Sequence, residues 1–153
     1  MTEERAEEGG AAREEGLRSE LEIDAFLQAH RRAYWVTLRR DGSPTAHPMG
    51  ALYEDGRLLF TSYRKSAKNR NVDRDPRSCV VLANDYDAES LEVVTLKGFA
   101  RVLEGAPPPR LLLEQSGEAG PGRAVAAIEA GRRSVIEIVP SEVAAFSERV
   151  RDL

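Results

Sequence analysis

A mainly β fold, a six-stranded antiparallel barrel with accessory helices, follows from three features of the sequence. Short runs rich in Val, Leu, Tyr and Phe recur along the chain, and these residues favour the pleated, half-buried surface of a strand. Tight-turn signals, Asp41-Gly42-Ser43-Pro44 and Glu54-Asp55-Gly56, separate the first three runs, which leaves no room for the crossover that a parallel pair requires. One leading helix and a small helical insertion accompany the strands, a pattern of barrels rather than of doubly wound sheets.

The elements follow in order. Ser19 and Glu22 make a capping box, and Ile23, Phe26 and Leu27 recur at helical spacing, so residues 20–31 form an amphipathic helix with His30 packed at its rim. Residues 33–40 read as the first strand, 45–53 as its hairpin partner and 57–63 as the third. Ser66 caps a short helix over 66–74, which Asp75-Pro76 ends. Residues 78–84 make a fourth strand, in which Cys79 is expected to be a buried, inert thiol, and 85–90 a polar loop. Residues 91–103 form the longest strand, where Gly98 signals a bulge or a close backbone approach. After the proline-rich 105–109, two short helices fill 110–130 with a break at 117–122. A sixth strand, 134–139, alternates apolar residues around Glu137; Pro140 is expected to stop it, leaving a turn and a frayed tail. A barrel of this size is filled by its own side chains, so a large ligand binds outside it or between two copies.

Composition bounds the function. With 153 residues, 41% hydrophobic and 31% charged, the chain suits one soluble domain over 19–153. Residues 1–18 carry six acidic and three basic side chains with almost no apolar ones and read as a disordered tail. That tail holds −3 of the formal net charge of −4, so the remainder is near neutral and has no global attraction for nucleic acid. The acidic, polar N-terminus lacks a secretory pattern and no apolar run approaches the length of a membrane span, which points to the cytoplasm. A single cysteine, Cys79, and two histidines, His30 and His47, offer neither a disulfide nor metal-ligand spacing.

The segment 61–76 carries the most chemistry. It delivers Thr61 and Ser62 at a strand end, then the Ser66 cap, whose following amides lie at the positive end of a helix. Lys68 sits in that first turn, where a cation is poorly placed for the helix unless an anion lies between it and the amides. Two readings fit these residues: a phosphate site, or a solvated basic turn. No Gly-rich phosphate loop, nucleophile elbow or carboxylate pair is present, which removes the Rossmann and hydrolase classes.

The order of Asp41-Gly42-Ser43-Pro44, Arg57-Leu58-Leu59-Phe60-Thr61, Ser66-Ala67-Lys68 with Asn71, and Asp75-Pro76 before a Val-rich strand resembles the pyridoxamine 5′-phosphate oxidase-like family of FMN-binding split barrels over residues 20–140. The resemblance implies a homodimer with flavin sites at the subunit interface. It implies that Thr61, Ser62, Ser66 and Lys68 contact the flavin phosphate and that Asn71 faces the cofactor. His47, Pro48 and Met49 match the strand beside the ribityl chain and ring, and Arg132 or Arg133 matches a position that reaches the cofactor of the other subunit.

The chain departs from the oxidase itself in having His47 near an Arg position, Ala67 where an Arg stands beside the Lys, and no C-terminal Arg- and Trp-rich signature, Trp35 being its only tryptophan. It is similar instead to short relatives that bind FMN or an 8-hydroxy-5-deazaflavin coenzyme, others of which bind haem. The implied function is a flavin- or deazaflavin-dependent oxidoreductase acting on a small conjugated molecule. The alternative is a carrier of a flavin or tetrapyrrole without turnover, and nucleic-acid binding through the basic stretch 64–77 ranks last.

Overall fold

The computed structural model describes residues 20–85, 88–115 and 122–149. The acidic tail, Ser19 and the helical break at 117–121 lie outside the described residues. Helix α1 spans Glu20–Ala29, followed by β1 (Arg32–Leu38) and β2 (Pro44–Gly50). Strands β3 (Leu52–Glu54) and β4 (Arg57–Tyr63) form a second hairpin, in which Asp55 and Gly56 both take positive φ, 52° and 70°, the turn whose twist matches its strands. Helix α2 (Ala67–Arg74), β5 (Arg77–Ala83), β6 (Ser90–Leu103), the short helices α3 (Arg110–Glu114) and α4 (Arg123–Glu129), and β7 (Arg133–Arg149) complete the order.

Every pair in the sheet is antiparallel, and the order is β2-β1-β5-β6-β7-β4-β3. Where the sequence predicts six strands the described residues form seven, because the expected arm 45–53 is cut at Ala51. The cut decides the architecture. β2 and β3 lie at opposite ends of the sheet with only Ala51 between them, so the sheet must curl until its ends meet. Ala51 is held at that corner by its N–H, which donates to the Arg31 carbonyl at 2.6 Å, and its side chain is buried.

The curl encloses a core in which Trp35, Phe60, Val80, Leu82 and Ile136 are fully buried. The Trp35 indole N–H donates to Ser78 Oγ at 3.0 Å, so the largest core residue leaves no donor unmet. Helix α1 closes one end, packing Ile23, Phe26 and Leu27 against that core. The Tyr53 hydroxyl donates to Asp24 of α1 at 2.5 Å, and burial, reinforced by that carboxylate, pushes the phenol up to about 12. A smaller apolar cluster of Leu52, Leu59, Ile128 and Val135 lies on the other face of β3, β4 and β7, with Leu111 and Leu112 of α3 packed on it.

Two departures come from β6 and β7. Pro140 does not stop the last strand: β7 runs 17 residues through it and pairs with β6 along its length. Lys97 faces Glu142 and Gly98 faces Pro140, which leaves Ser141 as the extra residue of a bulge, the arrangement that lets a strand carry a proline. Gly98 is needed there, because a Cβ at that position would lie 2.1 Å from the Val139 carbonyl oxygen. Cys79, expected in the core, is only half-buried; it shares the outward face with its partners Val36 and Lys97.

Replacing Gly98 with alanine is expected to cost roughly 1–3 kcal/mol, the usual range for overpacking. Urea unfolding of G98A checks this through a lower midpoint at unchanged slope.

Candidate functional site

β3 pairs with β4 only as far as Leu59, so residues 60–63 have β7 on one side and no strand on the other. This uncovered length of β4 forms a seam with β2, the strand at the other end of the sheet. The chain then turns into α2 within three residues. Ser66 is the cap that the sequence predicts: its backbone is extended, and its Oγ accepts from the Asn69 N–H at 3.3 Å. Ser62 Oγ lies 2.9 Å from Ser66 Oγ, tying the strand end to the cap.

A cavity of about 340 Å³ opens in the seam. β2 contributes Pro48 and Met49, β4 contributes Thr61 and Ser62, and α2 contributes Lys68. Arg31 and Arg133 bring two guanidinium groups to the same cavity, and no carboxylate is among the described residues that line it. Lys68 has no acidic partner among the described residues. Such a donor set, three cations and two hydroxyls beside a helix N-terminus, is suited to a dianion.

Arg133 is fixed from two directions. Its Nη1 donates to Thr61 Oγ1 at 2.9 Å, and its guanidinium lies 4.3 Å from the centre of the Tyr63 ring. Its Nε is buried with no partner. Arg132, the other candidate at this strand start, is exposed and does not line the cavity. Arg31 is absent from the sequence reading. Its Nε donates to the Ala51 carbonyl at 3.3 Å, so closure of the sheet brings it to the seam and no local pattern marks it.

His47, Ser66 and Asn71 are not in the lining. Asn71 is buried, with Nδ2 donating to Thr37 Oγ1 at 3.0 Å and Oδ1 accepting from Arg74 at 3.1 Å, so its amide ties α2 to β1. His47 sits opposite Trp35 in the register, and its Nε2 is buried without a partner. Burial first, then the charges of Lys68 and Arg39, hold its imidazole below the usual 6.5. Among the described residues, no group of three or more His, Cys, Asp or Glu could hold a metal ion, and no helix is long and apolar enough to cross a membrane.

Residues 19–147 match the family model described as pyridoxamine 5′-phosphate oxidase. No curated protein matches the chain. Among solved structures, a conserved hypothetical protein from Mycobacterium tuberculosis is 24% identical at a TM-score of 0.71, with 90% of each chain covered. The FAD binding protein from Mycobacterium smegmatis is 18% identical at a TM-score of 0.63, with 87% of this chain and 98% of that one covered. An F420 reductase is 18% identical at a TM-score of 0.62, covering 79% of this chain and 94% of that one. These likenesses carry the fold.

The surroundings of His47 set its titration. Its imidazole is expected to titrate below 6.5, and removal of the Lys68 charge in Lys68→Met to raise that midpoint. A group whose folded value is depressed stabilises the protein above its unfolded value and loses that contribution as pH falls through the folded one. Proton NMR of the imidazole C–H signals in the two proteins measures the shift.

Proposed function

The chain belongs to the pyridoxamine 5′-phosphate oxidase family, and from that premise we propose that it is a flavin-dependent oxidoreductase that binds FMN, with the phosphate in the seam between β2 and β4. The observation that supports this most is the cavity holding Lys68, Arg31 and Arg133 beside Thr61 and Ser62, with no carboxylate among its described lining residues. A dianionic phosphate neutralises charges that none of the described lining residues balances. The deazaflavin coenzyme shares the phosphate handle and is the alternative occupant. The names of the M. smegmatis protein and of the F420 reductase place redox coenzymes of this kind on the same fold.

When bound, the flavin supplies the hydride chemistry at its N5. The protein's part is placement. Lys68 and Arg133 hold the phosphate, Thr61 keeps Arg133 aimed at it, and Pro48 and Met49 border the ribityl chain and ring. His47 stands outside the lining, and burial followed by the Lys68 and Arg39 charges holds its imidazole below its usual value.

The outward face of β1, β2 and β5 supports a homodimer. By register, Tyr34, Val36, Ala46, Pro48 and Val81 lie on that one face, with Tyr34 49% exposed. Pro48 belongs both to this face and to the cavity, so a second copy laid on the face completes the cofactor site from outside. Stable interfaces bury about 1,200–2,000 Å² in total, an area that a face of three strands can supply.

Purified protein is expected to be yellow. The Lys68→Ala variant should bind FMN roughly 30-fold more weakly, about 2 kcal/mol for a charged hydrogen bond; fluorescence titration measures this, and unchanged affinity rejects the phosphate role. Light scattering is expected to give twice the chain mass of 16.9 kDa, and Tyr34→Glu to shift the protein toward monomer.

A further inference from the structure

On the far side of Arg133 a second cavity, of about 460 Å³, opens between the proline-rich loop after β6 and the turn from α4 into β7. Its volume falls within the range of about 300–1,000 Å³ that small-molecule sites occupy. The floor is apolar, formed by Leu103, Ile128 and Val135, and Pro107 and Pro108 make a stiff wall. Arg64 and Arg133 also line the cavity, and Glu129 is the only carboxylate among the described lining residues.

Among the described residues, Arg133 is the one that borders both this cavity and the seam. Its Nη1 is committed to Thr61 and its planar face to Tyr63, while Nε is buried without an acceptor. Among the described residues the Arg64 guanidinium is engaged only by Glu104, at 3.2 Å, and that pair is 49% and 74% exposed, so it is readily exchanged to a ligand.

We propose that this second cavity binds an organic carboxylate with a flat apolar body, its ring on the Leu103–Ile128–Val135 floor and its carboxylate between Arg64 and Arg133. Arg133 brings such a ligand next to the seam. Service as the substrate of the oxidoreductase rests on the cofactor reading above; the binding itself does not.

Calorimetric titration of benzoate and of benzyl alcohol into the full-length protein, with and without FMN, tests the proposal. Benzoate is expected to bind at least tenfold more tightly than the neutral alcohol. Both Arg64→Ala and Arg64→Gln should weaken benzoate about tenfold and leave FMN affinity unchanged, whereas Lys68→Ala should weaken FMN and spare benzoate. Benzoate that fails to bind, binds no better than the alcohol, or is indifferent to both Arg64 variants overturns the proposal. Arg64-dependent benzoate binding in a protein that does not take up FMN upholds the cavity while removing the cofactor reading.

Discussion

The single residue between β2 and β3 is the constraint from which the architecture follows. Those strands are the two ends of a seven-stranded sheet, and one alanine cannot span an open sheet of that width. The chain is therefore obliged to curl, and the curl creates both the interior that Trp35 and Phe60 fill and the seam where the two ends fail to pair. Because β3 is only three residues long, that failure falls on the end of β4, beside the cap of α2. Core and site thus share one origin. What closes the barrel also leaves one edge of the β4 end without a strand partner in a defined place.

Electrostatics then divides the molecule. Away from the seam Glu137 is matched, accepting from both Arg57 and Arg101. At the seam Lys68, Arg31 and Arg133 converge with no carboxylate among the described lining residues. Such concentrations of like charge are costly to keep and are favoured where a ligand relieves them. Arg133 is the hinge of this arrangement, positioned by Thr61 and Tyr63 on the seam side and open on the other to a second, more apolar chamber.

Much of this was legible in the residues, and the boundary of legibility is physical. Local patterns sufficed for α1, the two hairpin turns, the Ser66 cap and the paired short helices, since propensity and turn chemistry act over a few positions. Gly98 announced a close approach because glycine within a strand has few other uses. Thr61, Ser62 and Lys68 meet because they are neighbours along one strand-to-helix segment. Long-range facts stayed hidden. Nothing near Pro140 indicates that a bulge opposite Gly98 would carry the strand past it, and nothing near Arg31 indicates that Ala51 would draw it to the seam. Asn71 shows the limit most clearly: a polar residue on a short helix can face a groove or satisfy a buried hydroxyl, and only the packing against Thr37 decides.

The free margin of β2 has a further consequence. A proline cannot donate to a ladder, so Pro44 and Pro48 must turn their nitrogens away from β1, and the two-residue period places Ala46 and Gly50 on the same open side. Half of the amide positions along that margin therefore carry no hydrogen. A stray chain offering itself as an eighth strand would find an interrupted template, which guards against fibrillar, edge-to-edge polymerisation while leaving the margin free for a small guest.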